Sequence, residues 1–214
     1  MSEAATLEHG EILGVEPAES PLTPESWGKL GMWSFLAGDA MSFGALLAAY
    51  GALRYSSAPA GPNAWPVPGH VLGIPMTAGM TFLLICSSVT MVRALSAIRH
   101  GDTTGLRNNL LLTVLGGLVF LGCQGYEWTK LMLEGVSVTG NPFGNPLFGT
   151  TFFVLTGFHG CHVFGGVVYL ACICAQGMRG RYTATSNNPV EIVGLYWHFV
   201  DLVWILVFTF VYLL

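Results

Sequence analysis

Long apolar runs alternate with short polar segments along this chain, and five of the runs are long enough to cross a lipid bilayer as helices. We predict spans at about residues 30–53, 75–98, 109–133, 147–176 and 192–214. Residues 1–26 are polar, rich in glutamate and without apolar periodicity, so they predict an acidic, flexible arm before a membrane domain of residues 27–214. The predicted fold class is an all-α, polytopic membrane protein built as a five-helix bundle.

The segments between the predicted spans carry turn-forming residues. Ser56 to Gly73 is rich in proline, glycine and alanine and predicts a loop without helical period. Pro75 suits the first turn of the second span. A short polar turn from Arg99 to Arg107, a Gly/Asn/Pro loop at 134–146 and a basic turn at 177–189 separate the remaining spans.

Composition agrees with the membrane prediction and excludes several classes of protein. Hydrophobic residues make up 52% of the 214 residues and charged residues only 9%, against about 25% in soluble domains. A formal net charge of −4 and the lack of a basic patch exclude nucleic acid as a partner. The five cysteines all lie within apolar runs and form no CxxC pair, which predicts buried free thiols.

The distribution of basic residues predicts the orientation in the membrane. With five spans, the N-terminus and the second and fourth loops share one side. Six of the eight basic residues belong to that side and two to the other: Lys29, Arg93, Arg99, Arg107, Arg179 and Arg181 against Arg54 and Lys130. The positive-inside rule therefore predicts a cytoplasmic N-terminus and an outside C-terminus.

Four ionisable residues from three spans fall at a similar depth in the bilayer. At a rise of about 1.5 Å per residue, Asp39, His159 and Asp201 lie near the middle, with His162 about one turn further toward the cytoplasm. His198 lies just below this layer and shares a helix face with Asp201. Ionisable groups at membrane depth are costly, so they mark structural or functional contacts.

Several interpretations of this layer remain open from the residues alone. His198 and Asp201 form either a buried hydrogen bond or part of a chemical site. His159 and His162 form an HxxH pattern that could share a metal with His198 and Asp201, although no catalytic glutamate accompanies it. The interpretation that we favour has the histidines bonding across helices or to lipid headgroups, without a metal. Asp39 is either a proton-exchanging group or a neutral acid bonded to the next helix.

Two further groups of polar residues lie nearer the membrane surfaces. Gln124 and Glu127 share a helix face near the predicted outer boundary, as an outer polar pair. Arg179 and Arg181, together with His198, are candidates to contact anionic lipid headgroups on the cytoplasmic side. A solvated basic loop is the alternative interpretation of the two arginines.

Two stretches resemble diagnostic motifs of subunit III of the haem–copper terminal oxidases: residues 151–163, TFFVLTGFHGCHV, and residues 196–204, YWHFVDLVW. Residues 29–39, KLGMWSFLAGD, and 121–127, LGCQGYE, support the resemblance, which covers about residues 29–214. The long form of that family has seven helices, and this chain resembles the short five-helix form. The position of Asp39 resembles a membrane-embedded carboxylate of the family, which is often glutamate.

The resemblance implies an accessory subunit of a bacterial terminal oxidase in the plasma membrane. It implies no haem, copper or catalytic residue in this chain, with haem and copper in partner subunits. The expected contacts are subunit I above all, then subunit II, other small subunits and phospholipids. The implied role is support of proton uptake and sustained turnover, with cytochrome c as the expected electron donor.

Other functions remain as alternatives. A quinol oxidase subunit III is the nearest of them. A proton channel that uses Asp39 and a membrane metalloenzyme that uses His159, His162, His198 and Asp201 are more remote.

Overall fold

The computed structural model describes residues 24–57, 61 and 63–214. The predicted acidic arm of residues 1–26 therefore lies almost entirely outside the described residues. The first helix begins at Pro24, within the last three residues of the predicted arm.

Helices make up most of the described chain. Their bounds are α1 Pro24–Ser56, α2 Pro68–Val71, α3 Ile74–Arg99, α4 Thr103–Leu133, α5 Leu147–Met178 and α6 Asn188–Val207, and a π-helical segment Phe208–Leu213 continues α6. The five long helices, counting the π-helical segment with α6, are long and apolar enough to cross a membrane. This confirms the predicted all-α, five-span fold. The cytoplasmic position of the N-terminus stays a prediction.

The helices differ from the predicted spans mainly at their polar ends. α4 begins six residues earlier than predicted because the Asp102 side chain caps it, accepting a 2.8 Å hydrogen bond from the Gly105 amide. α6 begins at Asn188 because Pro189 fits its first turn. The prediction of an entirely irregular loop at 56–73 is wrong for Pro68–Val71, where Pro68 starts one helical turn.

α6 lies at the centre of the bundle. It packs against α5, α3 and α1, while α4 lies between α3 and α5. α1 is peripheral and contacts the bundle mainly through α5 and α6, and many of its apolar side chains are exposed, including Trp33 and Met41. In a membrane, such a face contacts lipid or a neighbouring subunit.

The buried indole of Trp197 fixes how closely α6, α4 and α5 approach. Its ring lies against two glycines, one on each neighbouring helix: a Cβ atom at Gly117 would lie 2.6 Å from the ring, and one at Gly166 would lie 3.0 Å from it. The indole nitrogen donates a 3.0 Å hydrogen bond to Ser87 Oγ on α3. One side chain thus joins four helices, and the two glycines make the space for it.

Polar contacts tie the helices together at both ends of the bundle. At one end, Glu191 of α6 pairs with Arg99 of α3 at 3.1 Å and with Lys29 of α1 at 3.4 Å. At the other end, Arg54 of α1 donates to the backbone oxygen of Leu214. The segment before α2 joins the α4–α5 loop through a 2.9 Å backbone hydrogen bond from Asn145 to the Ala64 oxygen.

Candidate functional site

The contact between Asp39 of α1 and His162 of α5 is the clearest ionisable pair inside the bundle. His162 Nε2 lies 3.1 Å from Asp39 Oδ1. His162 Nδ1 lies 2.8 Å from the backbone oxygen of Phe158, so Nδ1 carries a proton and donates it there. A hydrogen bond between Nε2 and Asp39 then requires one more proton, held by either the imidazole or the carboxyl group. With that proton present, the pair is neutral overall.

Apolar groups and one tyrosine surround this pair. The rings of Phe43 and Phe158 lie 5.3 Å and 4.7 Å from the His162 ring. The Tyr196 hydroxyl of α6 donates a 2.9 Å hydrogen bond to the backbone oxygen of His162. Asp39 is 8% exposed, and its Oδ2 is buried without a hydrogen-bond partner among the described residues. The site can hold a proton between two helices, with one carboxyl oxygen still available.

His159 lies one turn from His162 on α5 but in a different environment. It is fully buried, stacks on Trp204 at 4.9 Å and meets the edge of Phe120 at 5.8 Å. Within the described part of the chain, neither of its ring nitrogens has a hydrogen-bond partner. An aromatic pocket thus holds this histidine, whereas a bond to another helix was expected.

Asp201 and His198 do not form the hydrogen bond considered from their spacing. Asp201 accepts a 2.7 Å hydrogen bond from Ser88 Oγ on α3, and His198 is half-buried about one turn away. Ser88 reaches Asp201 because α3 packs directly against α6. The described residues hold no group of three or more His, Cys, Asp or Glu side chains that could bind a metal ion. His159, His162, His198 and Asp201 therefore do not form the ligand set of the metalloenzyme alternative.

The predicted outer polar pair lies inside the bundle. Glu127 is 4% exposed and accepts hydrogen bonds from Thr77 Oγ1 of α3 at 3.1 Å and from the Tyr212 hydroxyl at 2.8 Å. Gln124 is also buried, beside Tyr212, but its amide atoms have no partner that satisfies hydrogen-bond geometry in the described chain. Glu127 therefore links α3, α4 and the π-helical segment.

The two arginines proposed for lipid headgroups lie in the α5–α6 connection, and both are exposed. Tyr182 beside them is buried and donates a 3.2 Å hydrogen bond to Gln176 Oε1, which anchors the connection to α5. Burial raises the pKa of the Tyr182 hydroxyl. Arg179 and Arg181 are thus accessible to a headgroup, and their lipid contact stays a prediction.

Hydroxyl and indole groups that the sequence analysis did not single out complete these contacts. Ser88 and Thr77 bind the two buried acids, and Thr81 Oγ1 accepts a 2.9 Å hydrogen bond from the Trp204 indole. The signal in the sequence that could have identified these residues is serine and threonine within apolar helices, where hydroxyl groups often form hydrogen bonds between helices.

Comparison with known proteins identifies the family that the sequence motifs resemble, and the match covers most of the chain. The family model described as "Cytochrome c oxidase subunit III" matches residues 25–214. A protein of Mycobacterium tuberculosis named "Probable cytochrome c oxidase subunit 3" is 36% identical over 178 residues, 83% of each chain. "Cytochrome c oxidase subunit 3" of Thermostichus vulcanus is 36% identical over 186 residues, 86% of each chain.

A relative named for a quinol oxidase is almost as similar to this chain as the two cytochrome c oxidase subunits. "Probable quinol oxidase subunit 3" of Staphylococcus aureus is 34% identical over 186 residues, covering 87% of this chain and 88% of that protein. The match of the family model to residues 25–214, which include all five membrane-crossing helices, shows that this chain belongs to the cytochrome c oxidase subunit III family.

Proposed function

We propose that this chain is the accessory subunit III of a bacterial haem–copper terminal oxidase. In this role it packs on subunit I, contacts subunit II and smaller subunits, and binds phospholipids in the plasma membrane. Family membership over residues 25–214 and the five apolar helices support the proposal. The exposed apolar face of α1, with Trp33 and Met41, is available for a neighbouring subunit or for lipid. Haem and copper are expected in the partners.

The observation that carries the functional part of the proposal is the Asp39–His162 pair. It joins two helices, lies in apolar surroundings and has the geometry to share one proton. Inside a membrane, this pair can take up or release a proton only if a nearby group balances the change in charge. A partner subunit can supply that group, so the pair suits proton buffering or proton exchange with a partner. We therefore assign the support of proton uptake to Asp39 and His162, and the stability of turnover to the interhelical contacts around them.

Cytochrome c is the proposed electron donor. Most of the relatives are named as cytochrome c oxidase subunits, and one is named as a quinol oxidase subunit at nearly the same identity. The donor binds a different part of such a complex, so this chain supports the choice only through its relatives.

Asp39→Asn is expected to slow proton uptake or shorten the active lifetime of the oxidase severalfold, without loss of haem. The asparagine amide retains the size of the carboxyl group but cannot exchange its proton with His162. Proton uptake is measured by flow–flash kinetics with a pH dye, and lifetime is measured as the decay of oxygen consumption during continuous turnover.

Asp201→Asn is the matched control, because it alters another buried acid and keeps an oxygen that can accept from Ser88. It should behave as wild type. If oxygen reduction, proton uptake and lifetime were all unchanged in Asp39→Asn, Asp39 would have no functional role. Proton flux through liposomes that hold only this chain, abolished by Asp39→Asn, would instead support the channel alternative.

A further inference from the structure

A groove lies between α4 and α5, on the part of the two helices nearer their connecting loop. It has a volume of about 300 Å³ and is lined by Leu121, Gln124, Gly125, Trp128, Gly157, Gly160, Cys161 and Phe164. Gly125, Cys161 and Phe164 are exposed, so the groove opens to the outside of the bundle. Leu121 to Trp128 and Gly157 to Phe164 each cover eight residues, so the groove runs about 10 Å along the helices.

Glycines produce this depression in the helix surface. A Cβ atom at Gly125 or Gly160 would meet nothing within 4 Å, and one at Gly157 would lie 3.3 Å from the Trp128 ring. Side chains at these three positions would fill the space between the helices. The apolar walls then suit a narrow hydrocarbon chain lying along the helices.

Two buried polar groups border the groove and lack partners in the described structure. Gln124 is 3% exposed and lies beside Tyr212, but neither its amide nitrogen nor its amide oxygen has a partner that satisfies hydrogen-bond geometry among the described residues. The Trp128 indole nitrogen is also buried and unpartnered. An unsatisfied polar group in hydrocarbon costs several kcal/mol, so a ligand that satisfies these donors would gain affinity.

The positions of these donors indicate the chemistry of the ligand. Trp128 lies five residues from the end of α4, about 8 Å along the axis. If α4 ends at the membrane surface, this is the depth at which the ester groups of a lipid meet its acyl chains. An indole N–H can only donate, and the amide of Gln124 can donate as well. The complementary group is a carbonyl oxygen attached to a hydrocarbon chain.

We infer that this groove binds one acyl chain of a membrane glycerolipid, whose ester carbonyl accepts hydrogen bonds from Trp128 and Gln124. The inference deepens the lipid binding of the proposed function and rests on it, but it places the lipid at a defined site. That site is separate from Arg179 and Arg181, which follow the opposite end of α5.

The test uses the whole complex reconstituted into vesicles of phosphatidylglycerol that carry a photoactivatable diazirine on one acyl chain. After illumination, mass spectrometry locates the label on peptides of this chain. We expect label on residues 121–128 and 157–164. Trp128→Phe and Gln124→Leu should each reduce it about fivefold, the factor given by one typical hydrogen bond. Gly160→Leu should reduce it at least as much, because its side chain fills the groove from α5.

Two control variants match these changes. Gly122→Leu alters the same helix as Gln124 at a position where a Cβ atom would meet nothing within 4 Å, outside the groove. Tyr126→Phe removes a hydrogen-bond donor from an exposed residue of α4 that does not line the groove. Both should retain wild-type labelling, and the haem content of each preparation reports assembly of the complex separately.

The outcomes distinguish the occupants. Equal labelling of the groove in wild type, Trp128→Phe and Gly160→Leu would overturn the inference. So would groove labelling by a photoactivatable quinone but not by the lipid, or protection of the groove by a cross-linked partner subunit. The predicted labelling in a preparation that never contains haem would support the lipid site while contradicting the oxidase proposal.

Discussion

Gly117→Ala is expected to lower the free energy of unfolding by about 1–3 kcal/mol, the usual cost of overpacking a buried site. The new Cβ atom would lie 2.5 Å from Val167 Cγ2 and 2.6 Å from the Trp197 ring. Trp197 cannot move away easily, because its ring also lies against Gly166 and its nitrogen bonds Ser87. The measurement is thermal unfolding of the purified protein, followed by the fluorescence of the buried tryptophans.

Gly122→Ala provides the matched control on the same helix. A Cβ atom there would meet nothing within 4 Å, and alanine favours a helix interior over glycine by about 0.5–1 kcal/mol. The two glycine-to-alanine changes should therefore have opposite signs. Equal effects at both positions would contradict the close packing of α4 on Trp197.

Glu127→Ala is the second change with a large expected effect, a loss of about 1–3 kcal/mol of stability. It removes the acceptor for the buried Tyr212 hydroxyl and for Thr77 Oγ1. The Tyr212 hydroxyl would then remain in the bundle interior without its partner, which is the main part of the cost. Thermal unfolding of the purified protein, under the same conditions as for Gly117→Ala, measures this loss of stability.

A double-mutant cycle with Tyr212→Phe tests the cause of this loss. In the Tyr212→Phe background no hydroxyl is left unsatisfied, so Glu127→Ala should cost less than it does alone. Glu134→Ala is the control, at the residue that follows α4. Glu134 is exposed and contacts only Lys130, at 3.8 Å, among the ion pairs described. Its effect should be within about 0.5 kcal/mol. Additive costs in the cycle would show that Glu127 and Tyr212 do not interact.

The five membrane-crossing helices could be predicted because the length of an apolar run is a local property of the sequence. The ends of these helices could be predicted less accurately, because capping groups such as Asp102 extend a helix into polar sequence. The turn at Pro68–Val71 contains too few residues to show a helical period.

The pairing of polar side chains could not be predicted from the sequence, because it depends on which helices pack against each other. Asp39 and His162 were both placed near the same depth, yet their contact depends on α1 packing against α5, which no helical period reveals. The spacing of His198 and Asp201 favoured a local bond, but Ser88 on α3 supplies the donor to Asp201. Depth along the helix predicts Glu127 near the boundary but does not show its neighbours, Thr77 and Tyr212, which enclose it inside the bundle.

The buried polar groups therefore act mainly as contacts between helices. Asp201, Glu127 and Trp197 each join α3 to a neighbouring element, and the Asp39–His162 pair joins α1 to α5. An accessory subunit needs such contacts to hold its shape beside a larger partner. In the proposed oxidase, we expect the Asp39–His162 pair on peripheral α1 to be the contact that influences a partner subunit.

The most direct test of the oxidase assignment is purification of this chain, tagged and expressed in its own membrane, under mild detergent. We predict that the chain co-purifies with a haem-containing partner in fixed stoichiometry, and that the complex consumes oxygen with reduced cytochrome c as electron donor. Recovery of the chain without any haem-containing partner, or oxygen consumption by the pure polypeptide carrying its own iron or copper, would contradict it.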